Sequence, residues 1–111
     1  MLVAIGDVFA QVPERRAAER VMLAAQAAAR QQDGCLSYRF SEVLGDPGHY
    51  LLVGMWRDRP ALDAHFRSAS FAEYQATITP LLIRRSDLEV HVVAESTRPT
   101  ATSVLNLEHD D

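Results

Sequence analysis

Two segments of the sequence are apolar on both of the faces that a β-strand presents. Residues 2–11 carry apolar side chains at nearly every position, and residues 50–56 are apolar throughout. Because successive side chains of a strand point to opposite faces, a sheet built from these segments has no polar face for water. Leaving an apolar face exposed costs about 25 cal/mol for each Å². We therefore predict that a second copy of the chain covers it, since closed twofold dimers are the commonest assemblies.

A long helix is predicted between these two segments, beginning near Pro13 and ending at Asp33 and Gly34. Pro is favoured in the first turn of a helix, and Gly adopts the left-handed conformation that closes one. Apolar residues recur at the spacing of one helical face, namely Ala17, Val21, Ala24, Ala25 and Ala28. We expect this face to pack on the sheet.

A strand and a hairpin follow that helix. Leu36, Tyr38 and Phe40 alternate with polar residues, which is the period of a half-buried strand. The turn-forming residues 45–48 separate this strand from the apolar residues 50–56. The two strands should therefore pair as a hairpin.

The rest of the chain predicts two helical stretches and a last strand. The first stretch places His65 and Phe66 on one face, and the second opens with a capping box of Ser70 and Glu73. The second stretch should end at the proline that follows it. Residues 88–94 alternate between apolar and polar side chains, which predicts the final strand. The order β-α-β-β-α-β is typical of an α+β ferredoxin-like fold, with helices on one face of an antiparallel four-stranded sheet.

Charge and hydropathy argue against several kinds of partner. The 111 residues carry a formal net charge of −4, which provides no broad basic field for nucleic acid. No apolar run approaches the roughly 20 residues needed to cross a bilayer. The first residues also lack the basic start of a signal peptide. We expect a cytoplasmic protein that binds neither nucleic acid nor membrane.

The histidines and the single cysteine show no metal-site pattern. His49, His65, His91 and His109 fall in a turn, a helix, a strand and the tail, whereas a structural metal site clusters its ligands. Cys35 is predicted to be a small buried hydrophobic side chain. A phosphate-binding loop and a dinucleotide fingerprint are both missing from the sequence. We expect no cofactor and no metal.

Several short segments together form a pattern shared with a known family. They are Gly34-Cys35-Leu36-Ser37-Tyr38, Trp56-Arg57-Asp58, Ala61-Leu62-Asp63-Ala64-His65, Ser70-Phe71-Ala72-Glu73-Tyr74 and Pro80-Leu81-Leu82. The pattern resembles the antibiotic biosynthesis monooxygenase domain family over residues 1–97. The resemblance implies a homodimeric α/β barrel of ferredoxin-like protomers. Residues 98–111 are predicted to be an acidic tail, either disordered or packed on the partner subunit.

The same resemblance implies a cofactor-independent monooxygenase that oxidises a small aromatic, quinol or polyketide-type substrate with dioxygen. Such chemistry needs an apolar pocket, a base and a hydrogen-bond donor for a developing oxyanion. His65 is the candidate base, because an unperturbed imidazole titrates near pH 6.5. Trp56 is the candidate donor through its indole N–H. The candidate substrate-binding residues are Tyr38, Phe40, Phe66, Phe71 and Tyr74.

Some positions depart from what the resemblance implies. Gly54 stands where family members commonly carry Glu, and Leu52 and Leu62 stand where the anthrone oxygenases carry Asn and Tyr. His65 and Gln75 stand where the heme-degrading branch carries Trp and His, which argues against that branch.

Other interpretations of the same residues stay open. His65 equally fits a side chain that bonds the backbone and locks its helix, and the aromatic residues fit a plain core. A non-catalytic dimer that binds a small molecule would use the same pocket. An isomerase or degradation enzyme on this scaffold would use His65 equally well, because one fold supports many functions.

Overall fold

A computed structural model of the chain describes residues 1–99. Its strands and helices are β1 (Leu2–Phe9), α1 (Arg15–Arg30), β2 (Cys35–Glu42), β3 (His49–Trp56), α2 (Arg59–Phe66), α3 (Ala69–Ile78) and β4 (Asp87–Val92). The strands form one antiparallel sheet in the order β2-β3-β1-β4. The predicted α+β ferredoxin-like fold is confirmed. The predicted tail lies, from residue 100 onward, outside the described residues.

The helices cover one face of the sheet, and the side chains of that face form the core. Alternate residues of the two central strands are buried there, in the order that the period of two requires. They are Leu2, Ala4 and Val8 of β1 and Tyr50, Leu52 and Trp56 of β3. Trp56 at the end of β3 shares a core cluster with Ala29 of α1 and with Ala61 and Leu62 of α2, so this end of the strand lies directly beneath the helices.

The buried face of α1 lies one position away from the predicted face. Ala18, Met22 and Ala29 are the buried residues, whereas the predicted Ala24 is exposed. The prediction was wrong because a run of alanines makes neighbouring faces of the helix almost equally apolar. The long side chain of Met22 then decides which face enters the core, since burying it removes the most apolar surface from water.

Strand β2 departs from a regular alternation. The pairing of β2 with β3 shifts between Cys35 and Ser37, as it does where a strand carries an extra residue. Leu36, predicted to lie on the same face as Tyr38, is 56% exposed. Tyr38 is buried and Phe40 is partly buried, so only these two contribute to the core from the predicted set.

Side-chain caps begin the two helices that carry the candidate residues. The Asp58 carboxylate accepts the Ala61 amide of α2 at 2.9 Å. The Ser68 hydroxyl accepts the Phe71 amide of α3 at 3.2 Å. The predicted cap at Ser70 was therefore wrong by two residues, because Ser68 has the extended backbone that a capping residue needs.

The second face of the sheet is apolar at its centre and lies on the side away from the helices. Its central residues are partly buried side chains of β1 and β3, namely Val3, Ile5, Leu51, Val53 and Met55. The exposed Leu88, Val90 and Val92 of β4 lie on the opposite, helix-covered side of the sheet, because they pair with Gly6, Ala4 and Leu2. Within residues 1–99, none of the helices is long and apolar enough to cross a membrane.

Candidate active site

The structure brings all of the candidate aromatic and histidine side chains into one cluster between the sheet and the helices. Neighbouring ring centroids lie 4.6–6.3 Å apart around a closed circuit. The circuit runs through Trp56, His65, Phe71, Tyr74, Phe40 and Tyr38, and Phe66 contacts both His65 and Phe71. These separations are typical of stabilising contacts between aromatic rings.

Trp56 lies at the end of β3 and is 0% exposed. Its indole Nε1 is buried and has no hydrogen-bond partner among residues 1–99. Gly54 lies beside it on the same face of the strand, and a Cβ built there would come within 3.2 Å of Nε1 and 3.1 Å of Tyr38 Cδ2. The glycine therefore makes room for the tryptophan and tyrosine rings, where the resemblance implied a glutamate.

His65 lies on the inner face of α2 and is 5% exposed. Its ring stacks at a tilt against Trp56, with 4.6 Å between the centroids. Its Nδ1 is 2.7 Å from Oε1 of Gln32. Burial lowers the pKa of His65 from 6.5 to about 4, because an apolar environment disfavours the charged imidazolium. The ring is therefore neutral near pH 7.

The two tyrosines of the cluster keep their phenolic protons. Burial raises the pKa of Tyr74 from 10.0 to about 12, and burial also raises the pKa of Tyr38 well above its usual value. Both hydroxyls therefore remain available as hydrogen-bond donors.

A cleft of about 700 Å³ opens beside this cluster, between the sheet, α3 and the segment that leads to β4. Its apolar lining includes Val8, Leu52, Phe71, Tyr74, Ile78 and Leu82. Phe71 and Tyr74 belong to both the cleft and the aromatic cluster. His65 and Trp56 lie behind Phe71, whose ring centroid is 5.0 Å from that of His65. The rest of the lining includes polar and charged residues, namely Asp7, Gln75, Thr79, Arg84, Arg85, Ser86 and Asp87. The size and lining of the cleft therefore fit a small molecule that has an apolar body and polar groups.

Sequence reasoning missed some residues of this region. Gln32, which contacts His65, lies in the turn after α1 and belongs to no motif. Ile78 and Leu82 line the cleft although their sequence pattern indicates only helix and loop. Nothing in the local sequence identifies these contacts, because they join elements that are distant along the chain. Within the described part of the chain no group of His, Cys, Asp or Glu is arranged to hold a metal ion.

Replacing Gly54 with alanine is expected to lower the free energy of unfolding by about 1–2 kcal/mol. The new methyl group would press on Tyr38 and Trp56. Overpacking a core lowers the free energy of unfolding by more than replacing a strand glycine raises it. The cost should shrink in a Trp56→Phe background, which lacks Nε1. Denaturant unfolding of both single variants and the double variant measures this coupling, and strict additivity would contradict the packing described here.

The lowered pKa of His65 predicts an acid-sensitive fold. Between pH 6.5 and about 4 the unfolded chain binds a proton at this residue that the folded protein does not bind. The free energy of unfolding therefore falls as the pH falls, by on the order of 3 kcal/mol over this range, at 1.36 kcal/mol per pH unit.

This acid sensitivity is measured as the difference between wild type and His65→Gln in denaturant titrations across that pH range. The exposed His91→Gln variant is the control and should follow wild type. If the stability of His65→Gln fell with pH as steeply as that of wild type, His65 would not be the group responsible.

The fold and the site define a class: ferredoxin-like α+β proteins with a cleft and an aromatic cluster between the helices and the sheet. The family model described as antibiotic biosynthesis monooxygenase matches residues 1–77. The chain therefore belongs to the antibiotic biosynthesis monooxygenase family.

Similar proteins support this assignment. A Mycobacterium tuberculosis protein, Rv0793, named as a candidate monooxygenase, is 38% identical over 68% of this chain and 75% of its own length. Its solved structure matches with a TM-score of 0.77 at 30% identity, covering 87% of this chain and 98% of that one. A Deinococcus radiodurans structure named for the same family has a TM-score of 0.85 at 23% identity, covering 91% and 100% of the two chains, and shows the fold. An uncharacterised Synechocystis protein is 33% identical over 60% of this chain, which spans 46% of that protein's length.

Proposed function

We propose that this protein is a cofactor-independent monooxygenase of a small aromatic, quinol or polyketide-type substrate. The observation that carries the proposal is the buried Trp56 indole N–H, which has no acceptor among residues 1–99 and lies against a neutral histidine. A buried donor without a partner costs about 1–3 kcal/mol, so its retention calls for a functional explanation.

His65 is the base in this proposal. Its imidazole is neutral at physiological pH and removes a proton from a substrate hydroxyl or an activated CH₂ group. Proton transfer by a positioned side chain contributes about 10²–10⁴-fold to a rate. The substrate anion that results is electron-rich enough to reduce dioxygen itself.

Trp56 stabilises the negative charge that develops on the substrate oxygen. A donor that is already fixed in an apolar site pays no reorganisation cost when the charge appears. One atom of dioxygen then becomes the new oxygen of the product, and the other leaves as water with two hydrogens that the substrate loses, for example the two of a CH₂ group that becomes a carbonyl. The substrate supplies all the electrons, so the balance requires no further reductant.

The cleft supports a substrate with an apolar body and polar groups that enters beside α3. Its volume of about 700 Å³ lies within the usual range for small-molecule sites. Phe71 separates the cleft from His65, so a substrate that reaches the base must displace the Phe71 ring. A change of side-chain rotamer of this kind is common when a ligand binds.

Oxygen uptake by the purified, chelator-treated protein tests the proposal. A panel of hydroquinones and anthrones, without flavin or metal, should give uptake above the rate with heat-denatured protein. Labelled dioxygen should deliver one of its two atoms to the product. Absence of uptake across the panel would reject the oxygenase function.

A second candidate function is a binding module that holds a small apolar metabolite without converting it. The observation in its favour is that His65 and Trp56 lie behind the cleft lining instead of facing the open space. A ligand that binds only the folded state raises its stability. Thermal stabilisation by a panel compound without oxygen uptake would favour this alternative.

We also propose that the protein works as a homodimer in which the second face of the sheet meets the same face of a partner. Support comes from the central residues of that face, which are apolar side chains of β1 and β3 left uncovered by the helices. Burying this face against a second copy removes apolar area from water at about 25 cal/mol per Å².

The variant Val53→Glu is expected to convert the dimer into a monomer, because it places a charge at the centre of the covered face. Leu44→Glu is the matched control, since Leu44 is 94% exposed in the hairpin turn and should leave the dimer intact. Sedimentation velocity measures both. A wild-type protein that sediments as a monomer would contradict the proposed assembly.

A further inference from the structure

Gln32 connects the candidate base to the start of α3. Its Oε1 lies 2.7 Å from Nδ1 of His65. Its Nε2 lies 3.1 Å from the hydroxyl of Ser70 and 3.3 Å from the hydroxyl of Ser68. The side-chain amide therefore bridges the histidine ring on one side and two serine hydroxyls on the other.

Ser68 favours one direction for these hydrogen bonds. Its hydroxyl has a single hydrogen, which it donates to the backbone carbonyl of His65 at 2.6 Å. The same oxygen accepts the Phe71 amide. Toward Gln32, therefore, Ser68 can only accept, which favours the orientation with the Gln32 amide nitrogen facing it, whereas the hydroxyl of Ser70, 3.2 Å from that of Ser68, fits either orientation. The reverse orientation would place the amide oxygen against the lone pairs of Ser68.

This orientation leaves the amide oxygen of Gln32 facing His65. An amide oxygen only accepts, so Nδ1 of His65 must carry the hydrogen of this contact. A neutral imidazole has one N–H, and its other nitrogen then carries a lone pair. Among the described residues, Nε2 of His65 makes no hydrogen bond of its own.

We propose that Gln32 is a positioning residue that holds His65 in the Nδ1–H tautomer and leaves the Nε2 lone pair to accept the substrate proton. The statement about the tautomer stands on the resting protein alone. The statement about the substrate proton rests on the proposed oxygenase function. Gln32 acts through His65 and lies on the far side of the imidazole from Nε2.

The tautomer is measured directly by long-range ¹H–¹⁵N correlation spectra of the uniformly labelled wild-type protein near neutral pH. Nε2 couples strongly to both ring hydrogens and Nδ1 strongly to only one, which distinguishes the two nitrogens. The variants His49→Asn, His91→Asn and His109→Asn assign the other rings by loss of their signals. We expect the protonated nitrogen of His65 to be Nδ1, and finding it at Nε2 overturns the proposal without any variant of Gln32.

Two substitutions test whether Gln32 sets the tautomer of His65. Gln32→Leu removes the acceptor, and the proton signal of His65 should then appear at Nε2 in a substantial fraction of molecules. Gln32→Glu keeps an acceptor, so the Nδ1–H form should persist, and its carboxylate should raise the pKa of His65. A tautomer unchanged by Gln32→Leu would show that another contact sets it.

Gln26→Leu is the matched control for replacing a glutamine near the cluster. Gln26 is also partly buried, and its Oε1 accepts the Phe40 amide at 2.9 Å, away from His65. This variant should leave the His65 tautomer unchanged. If oxygen uptake is found, Gln32→Leu should lower kcat more than it changes KM, and Gln32→Glu should move the acid limb of the pH profile upward. If no uptake is found, the spectra still decide the tautomer.

Discussion

Oxygen uptake by the His65→Gln variant is expected to fall about 10²–10⁴-fold below wild type, which is the usual contribution of a positioned general base. Glutamine is close to histidine in volume, so the aromatic cluster should remain packed while the proton acceptor is lost. His65→Ala should lose as much activity and should also lose stability, because it leaves a cavity beside Trp56. An oxygen electrode measures the activities, and denaturant unfolding separates the two effects.

The pH profile sharpens this prediction. With the pKa of His65 lowered to about 4, the acid limb of kcat/KM in wild type should fall near that pH instead of near 6.5. His91→Gln is the control, because His91 is exposed on β4 and lies outside the cluster. Wild-type turnover in His65→Gln would refute the role of His65 as base, even if the protein proved to be an oxygenase.

Replacing Trp56 with alanine is expected to lower the free energy of unfolding by about 3–5 kcal/mol, the usual cost of deleting a buried aromatic side chain. The indole is fully enclosed and contacts the rings of Tyr38 and His65, so its removal opens a cavity in the centre of the site. Chemical denaturation of wild type and variant measures this loss. Leu23→Ala, at a side chain 62% exposed on α1, is the control and should change stability by no more than about 0.5 kcal/mol.

The Trp56→Phe variant distinguishes the contribution of the aromatic ring from that of the indole N–H. Phenylalanine keeps an aromatic wall and removes a buried donor whose missing partner costs about 1–3 kcal/mol. The smaller ring loses packing, so the two effects should offset and leave stability within about 1 kcal/mol of wild type. A loss as large as that of Trp56→Ala would mean that the N–H has an acceptor in the folded protein. Oxygen uptake should nevertheless fall in Trp56→Phe, because the oxyanion donor is absent.

The regular elements could be predicted from the sequence because their patterns are local. The short, continuous apolar runs of residues 2–11 and 50–56 predict the two central strands, and the turn residues 45–48 predict the hairpin between β2 and β3. Where neighbouring residues satisfied the same local rule equally well, the predictions were wrong by one or two positions. The face of α1 and the cap of α3 are the examples, since adjacent alanines or serines satisfy the same local rule.

Some residues of the site could be predicted from the sequence. Aromatic side chains at strand ends and on helix faces indicate a cluster, and His65 and Trp56 stand out because their side chains can accept or donate a proton. Their burial behind Phe71 could not be predicted, since it depends on how α3 packs against the sheet. The sequence places Gly54 two residues from Trp56, but only the fold shows that its missing side chain is what lets the indole and Tyr38 approach.

The sequence by itself determined the order of the elements, the antiparallel sheet with one helical layer, and the residues able to carry proton chemistry. Only the tertiary structure decided that Gln32 meets His65, that Ser68 orients Gln32, and that the Trp56 N–H is left without an acceptor. The physical reason is the separation along the chain of the residues that interact. Periodicity and turn formation depend on neighbours along the chain, whereas hydrogen-bond partners and burial depend on which distant side chains the packed elements bring within a few ångströms.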